Sequence, residues 1–225
     1  GNEKSLIPTI DSLAKESIFF TNLHATGTRT IRGMEAIALC IPPTPGRSIV
    51  KRENNINLFT IGEVFKQKGY TRTFFYGGDG HFDNMNVFFA NNGFDIVDRK
   101  KKHRFSEALP TNRIQITDDE TTFENAWGVC DGDLYAKLLT ESDKQHKLQK
   151  PFFNFIMTST NHRPFTYPDG VIDIPSGKNR DGALKYTDWA LAEFFKEAKN
   201  KPWFKNTVFV IVSDHCAYSA GRSEI

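Results

Sequence analysis

Val208-Phe-Val-Ile-Val-Ser-Asp-His215 is the stretch that decides the fold class. Its apolar run is short enough for a strand buried on both faces, as in a parallel sheet. It stops abruptly at an acid and a histidine, and small or flexible residues follow (Ala217, Ser219, Ala220, Gly221). Ligands of open α/β sheets bind beyond the carboxyl ends of the strands. A rigid strand would therefore deliver Asp214 and His215 where a metal-ligating pair is useful. On its own the pair reads as a strand-end turn with an incidental histidine, so the case for a site rests on what else converges there.

Working outward, the same grammar recurs. Pro151-Phe-Phe-Asn-Phe-Ile-Met-Thr158 is a strongly apolar strand that empties into Ser159-Thr-Asn-His-Arg-Pro-Phe165, and residues 183–200 form a long helix before Pro202. Residues 58–69 read as an amphipathic helix closed by Gly69. The strand Tyr70-Thr-Arg-Thr-Phe-Phe-Tyr76 follows and opens into Gly77-Gly-Asp-Gly-His-Phe-Asp-Asn84. Helix, glycine, strand and polar loop make half of a βαβ unit. A short helix over 86–92 and a strand over 95–98 come next. Residues 99–124 are polar and irregular, the place for an insertion, and Trp127 to Tyr135 leads into a helix running toward Thr140.

Near the start, a helix over 7–17 precedes a strand over 18–22. Then Ala25-Thr-Gly-Thr-Arg-Thr-Ile-Arg-Gly leads into a helix ending near Cys40. Helix N-termini favour negative charge, so a hydroxyl at this junction would meet an anionic phosphoryl or sulfuryl group. A plain threonine-rich cap is the equal alternative.

The bulk numbers fit one large domain over residues 1–225. The chain is 39% hydrophobic and 25% charged, and its net charge of +2 supplies no field for nucleic acid. The basic run Arg99-Lys-Lys-Lys-His-Arg104 reads as a solvated loop. Cys40, Cys130 and Cys216 are odd in number and lack paired zinc spacing, so no disulfide framework is expected. Cys216 and Trp127 read as packing residues. No stretch is apolar for long enough to cross a bilayer, and no signal peptide is visible. The chain is expected to be a piece of a longer protein, since it opens mid-phrase at Gly1-Asn-Glu-Lys and stops directly after the Asp-His pair.

Four segments thus place polar groups after a strand: Thr28/Thr30, Asp79/His81/Asp83/Asn84, Asn161/His162/Arg163 and Asp214/His215. In a parallel sheet with right-handed crossovers those ends share one edge. A hydroxyl nucleophile, oxygen and imidazole ligands, and donors for an anion suit transfer of a phosphoryl or sulfuryl group assisted by a divalent ion.

Together, Thr28-Arg-Thr-Ile-Arg-Gly-Met-Glu35, Phe82-Asp-Asn-Met85, Asn92-Gly-Phe94, Asn161-His-Arg-Pro-Phe165, Tyr186-Thr-Asp188 and Ser213-Asp-His215 resemble the lipoteichoic acid synthase-like branch of the sulfatase and alkaline phosphatase superfamily. The resemblance spans essentially the whole chain. It implies a three-layer α/β/α fold with a mostly parallel central sheet, truncated at both ends. It also implies an extracytoplasmic catalytic domain anchored in the membrane by an N-terminal region outside this chain. The implied cofactor is one divalent ion, Mn2+ or Mg2+, and the implied reaction is phosphoglycerol- or phosphoethanolamine-type transfer or hydrolysis on an anionic phospholipid or glycan.

Carried over by residue, Thr30 matches the nucleophile and shares the metal, with Thr28 the alternative. Asp214 and His215 match metal ligands, and His162 matches a phosphate-contacting histidine beside Arg163. Asp79, His81, Asp83 and Asn84 lie in a substrate-contacting loop. This loop departs from the family pattern, which has a tryptophan and an arginine at about Asp83 and Met85. A further ligand, an acid at the end of the family's first strand, has no match here. This chain alone is therefore expected to bind metal weakly, and tight stoichiometric binding of manganese by calorimetry would contradict that.

Sulfatase or phosphodiesterase activity is the near alternative, and a non-catalytic glycan- or headgroup-binding domain the distant one. Cys40-Ile-Pro-Pro-Thr44 imitates the formylglycine motif of classical sulfatases but has threonine where arginine belongs. Cys40 is accordingly not expected to be catalytic.

Overall fold

The computed structural model describes residues 5–99 and 109–216. Its centre is a parallel four-stranded sheet in the order β3 (Arg113–Gln115), β2 (Asp95–Asp98), β1 (Thr71–Tyr76), β6 (Phe152–Met157). Successive side chains of a strand point to opposite faces, and here both faces are apolar. Phe74, Tyr76, Ile96, Phe153, Phe155 and Met157 pack on one side with α2 (Thr30–Leu39) and α4 (Met85–Asn91). Phe75, Val97, Phe152 and Ile156 pack on the other with α5 (Asp131–Lys147) and α6 (Arg180–Ala198). Two cores on one sheet make the expected three-layer α/β/α architecture.

The abundance of phenylalanine is explained at these interfaces. Phe74 stacks on Phe89 at 3.9 Å, and Phe65 of α3 (Ile61–Gln67) stacks on Phe153 at 4.3 Å. The first helix, α1 (Pro8–Lys15), lies against α6. A two-residue hairpin, β4 (Glu124–Asn125) and β5 (Gly128–Val129), stands apart from the main sheet.

Several expectations are corrected. Residues 208–212 are not a buried strand: they belong to no sheet, Val208 is 87% exposed, and only Phe209 reaches the core, against Phe194, Phe195 and Phe204. Residues 18–22 are likewise outside any sheet, with Ile18 87% exposed. The physical reason is shared. A strand exists only against a hydrogen-bonding neighbour, and the outer edge of β6 carries none among the described residues. Apolar content alone could not supply the partner.

Arg99 is not solvated. It is buried and held by Asp118, by Glu124 at 3.1 Å and by the Ile116 carbonyl at 2.7 Å; residues 100–108 of that basic run lie outside the described residues. The segment expected to be irregular also contains β3, which extends the sheet by one strand. Helix α5 runs seven residues beyond Thr140, to Lys147. Cys216, expected to pack, is exposed, as is Cys40, while Cys130 is buried.

Candidate active site

β1 and β6 are adjacent and parallel, with Tyr76 opposite Met157, so the loops that follow them leave from one edge of the sheet. Within the first loop, Gly78 allows the hairpin to dock. A Cβ there would overlap the Trp127 carbonyl oxygen, and Val129 donates its N–H to the Gly77 carbonyl at 2.9 Å. The rest of the loop is braced from below and from the side. Asp98, fully buried at the end of β2, accepts the Gly80 N–H at 2.7 Å and two bonds from Arg113 at 2.6 and 2.8 Å. Arg113 reaches on to Asp79 at 3.3 Å, Lys51 pairs with Asp83, and Asn84 donates to the Val50 carbonyl at 2.8 Å. Asp83 and Asn84 both occupy the left-handed region (φ 53° and 63°), a conformation that persists only where surroundings over-determine it. Of the expected substrate-contacting residues here, Asp79, Asp83 and Asn84 therefore have bracing contacts, while His81 is exposed.

The second loop, 159–165, is anchored by Asp131, a residue the sequence did not single out. Its buried carboxylate accepts the Ser159 and Thr160 N–H groups at 3.0 and 3.1 Å and the Thr187 hydroxyl at 2.9 Å. Thr160 Oγ1 in turn accepts the Asp131 N–H at 3.0 Å, so loop and helix α5 cap each other. The acid at the first position of a helix was the available signal. This anchor presents His162, while the exposed Arg163 side chain makes no bond among the described residues.

Trp127 is the second missed residue, and the expectation that it packs in the core is corrected. Its half-buried indole stacks on the His162 imidazole with centroids 4.2 Å apart and meets Phe82 edge-on at 5.5 Å. The tip of an otherwise unremarkable hairpin thus joins the loops that follow β1 and β6. Sequence gave no signal, because the docking of β4 and β5 is a long-range event.

Burial lowers the His162 pKa below the ordinary imidazole value; the nearby Asp214 carboxylate raises it and His215 lowers it. Both residues of the Asp-His pair are thus within electrostatic reach of His162. With the folded value below the unfolded one, the neutral ring is the favoured form. Its contribution to stability is held above the unfolded pKa and lost as pH falls below it. An NMR titration of the full-length protein should give a His162 midpoint below the ordinary value, and Trp127→Ala, which uncovers the ring, should move it back up. A midpoint unaltered by Trp127→Ala would show that the indole does not shield the ring.

The Thr28/Thr30 and Asp214/His215 segments meet at α2. Thr30 is the first helical residue and is 8% exposed, whereas Thr28 is exposed. Gly27 and His215 form a parallel bridge, and Gly33 lies under Asp214: a Cβ on Gly33 would sit 2.7 Å from the Asp214 carbonyl carbon. The Asp-His pair is therefore seated on the first turn of the helix that begins with Thr30. Asp214 Oδ2 and His215 Nε2 are 3.7 Å apart, and His215 Nδ1 lies 2.8 Å from the Cys216 carbonyl. A proton on Nδ1 toward that carbonyl leaves Nε2 its lone pair for a ligand. Carboxylate plus imidazole suits a divalent ion, although no group of three or more His, Cys, Asp or Glu is placed to hold one among the described residues.

Two further quoted residues prove structural. Glu35 is fully buried and accepts from Ser48 at 2.7 Å and Arg32 at 3.1 Å, fastening the turn after α2. Asp188 accepts the Thr9 and Ile10 N–H groups, each at 2.9 Å, and so holds the N-terminus of α1 onto α6. Asp188→Ala is expected to cost about 2–3 kcal/mol, leaving two helix donors without their charged acceptor. At this chain size that is a fall in Tm of roughly 4–12 °C. A thermal melt unchanged by Asp188→Ala would show that α1 is held by its apolar contacts alone.

A mostly parallel sheet with helices packed on both faces is the architecture of the alkaline phosphatase class of fold. The sulfatase family profile matches residues 1–223, and the chain belongs to that family. It is 27% identical over 228 residues to phosphoglycerol transferase I of Citrobacter koseri, covering 94% of this chain and 28% of that protein. The corresponding protein of Escherichia fergusonii is 28% identical with the same coverage. Among solved structures, a protein of the alkaline phosphatase superfamily from Vibrio parahaemolyticus superposes with a TM-score of 0.76 at 40% identity, over 88% of this chain and 46% of that one. The lipoteichoic acid synthase LtaP from Listeria monocytogenes shares the fold with a TM-score of 0.71 at 21% identity, over 88% and 47%. These findings place the chain in the sulfatase family of the alkaline phosphatase superfamily, whose members generally use a divalent metal. The chain spans 28% of the length of the curated relatives it matches.

Proposed function

We propose that this chain carries the catalytic centre of a phosphoglycerol- or phosphoethanolamine-type transferase or hydrolase with Thr30 as nucleophile. The observation that supports this reading most strongly is the seating of Asp214 and His215 on the first turn of the helix that opens with Thr30. The Thr30 oxygen attacks the phosphorus of a lipid- or glycan-linked phosphodiester, the first alcohol leaves, and a second alcohol or water then releases the group from the threonine. Neutral His162 donates one hydrogen bond to a phosphate oxygen, and the Arg163 guanidinium adds positive charge at the mouth. Asp214, His215 and the Thr30 oxygen would hold Mn2+ or Mg2+. Such an ion supplies Lewis-acid stabilisation of the negative charge on the transferred group.

The substrate in this reading is an anionic phospholipid or glycan, and the setting is the outer face of the cell membrane or the periplasm. The phosphoglycerol transferases among the relatives support that reading. No helix among the described residues is long and apolar enough to cross a membrane. The test is an assay of the full-length protein on bis-p-nitrophenyl phosphate, p-nitrophenyl phosphate and p-nitrophenyl sulfate, with and without manganese. Preferred turnover of the diester supports the proposal. Turnover of the sulfate ester alone would favour the sulfatase alternative, and no turnover of any substrate would favour the binding domain.

A further inference from the structure

His162 is held in place without a side-chain hydrogen bond. Its loop is tied at the start by Asp131 and tightened by the Phe165 N–H, which donates to the His162 carbonyl at 2.7 Å. The imidazole nitrogens themselves make no hydrogen bond among the described residues. Backbone ties fix where the ring starts but not its rotation, because the second side-chain torsion of histidine is broad. The contact that limits that rotation is the Trp127 indole, stacked at 4.2 Å with the two planes 25° apart. The indole is fixed in turn by its own N–H, which donates to the Arg163 carbonyl, and by the edge of Phe82.

A hairpin with two residues in each strand cannot hold such a position alone. At its base, the buried Arg99 guanidinium bonds Glu124 at 3.1 and 3.3 Å. Beside it, the Asp133 carboxylate of α5 accepts the Thr122 and Phe123 N–H groups at 2.8 and 3.1 Å. Near the tip, Asn125 works in two directions. Its Oδ1 accepts the Trp127 N–H at 2.8 Å, and its Nδ2 donates to the Thr166 hydroxyl at 2.9 Å, one residue beyond the histidine loop. Hairpin and loop are therefore joined through Asn125 and Trp127, neither of which carries a group that the proposed reaction uses.

We infer that Trp127 and Asn125 are positioning residues for His162, through which the hairpin fixes the plane of the imidazole. A ring oriented by stacking keeps both nitrogens for a ligand, and a donor already in place has no reorganisation to undergo when charge develops on a phosphate oxygen. The catalytic consequence rests on the proposed role of His162; the geometry does not.

The test is a double-mutant cycle in the full-length protein, read as kcat and KM on bis-p-nitrophenyl phosphate, with the His162 ring protons followed by NMR. Trp127→Ala should lower kcat/KM on the order of 10²-fold, as for displacement of a reacting group by about 1 Å. In a His162→Ala background it should cause almost no further loss. Trp127→Phe, which keeps an aromatic face, should retain most of the activity. Asn125→Ala should give a smaller loss that likewise vanishes with His162→Ala, and it carries the test if Trp127→Ala does not fold. Protons over an aromatic face are shielded, so the His162 ring resonances should move downfield in Trp127→Ala, less so in Asn125→Ala, and little in Trp127→Phe. Equal losses with and without His162 would make both residues structural support only and overturn the inference, as would His162 ring resonances unmoved by Trp127→Ala. Absence of turnover in the wild-type protein would sink the catalytic reading and leave the NMR comparison to decide the positioning.

Discussion

Thr30→Ala in the full-length protein is expected to reduce turnover of a phosphodiester substrate by on the order of 10³-fold or more, because removal of a nucleophile leaves only binding and electrostatic stabilisation. Thr28→Ala should retain most of the activity. The distinction comes from position. Thr30 is the first residue of α2 and is buried beneath the segment that carries Asp214 and His215, while Thr28 is two residues upstream and exposed. Trapping of a threonyl-phosphodiester by mass spectrometry, mapped to the peptide containing Thr30, is the direct readout. A covalent adduct on Thr28, or full activity of Thr30→Ala, would sink the assignment.

Gly33→Ala should be nearly as damaging although it removes no functional group. The added methyl would sit 2.7 Å from the Asp214 carbonyl carbon and 2.8 Å from the Asp214 Cβ, closer than real contacts allow. Neither side of the contact is a flexible side-chain end: one is the main chain and Cβ of Asp214, a residue proposed to bind metal, and the other is the helix that begins with Thr30. Overpacking of this kind costs about 1–3 kcal/mol in stability. A displacement on the order of 1 Å between catalytic groups costs roughly 10²-fold in rate. The expected result is a modest fall in Tm, with a loss of rate on the order of 10²-fold and a raised manganese requirement. A Gly33→Ala protein with wild-type manganese dependence and rate would show that the Asp-His pair is not held against α2 in the active protein.

Both substitutions test contacts that the sequence indicated unevenly. Asp214 and His215 were legible as a pair, but the reason offered for their position, delivery by a buried strand, is not what the structure shows. Residues 208–212 are exposed and outside the sheet, and the pair is seated instead by the Gly27–His215 bridge and the close approach to Gly33. The histidine loop was legible from its polar run after an apolar strand. Its anchor, Asp131, was not, because an acid at a helix start fits ordinary capping equally well. Trp127 was invisible as a candidate site residue: large aromatics are usually core, and nothing local distinguishes one that a small hairpin carries onto the loops after β1 and β6.

The sequence by itself determined the α/β class, the strands β1, β2 and β6, and the polar turns at their carboxyl ends. Those features follow from apolar runs, glycine punctuation and chain order, which act over a few residues. Only the tertiary structure decided that Trp127 covers His162, that Asp98 and Arg113 brace loop 79–84, and that Arg47 and Arg52 line a cleft together with His81 and Asp83. Each of these depends on side chains brought together from segments far apart in the chain. The same dependence left 208–212 outside the sheet: an apolar run states a preference for extended backbone, and a strand forms only where a neighbour completes its hydrogen bonds.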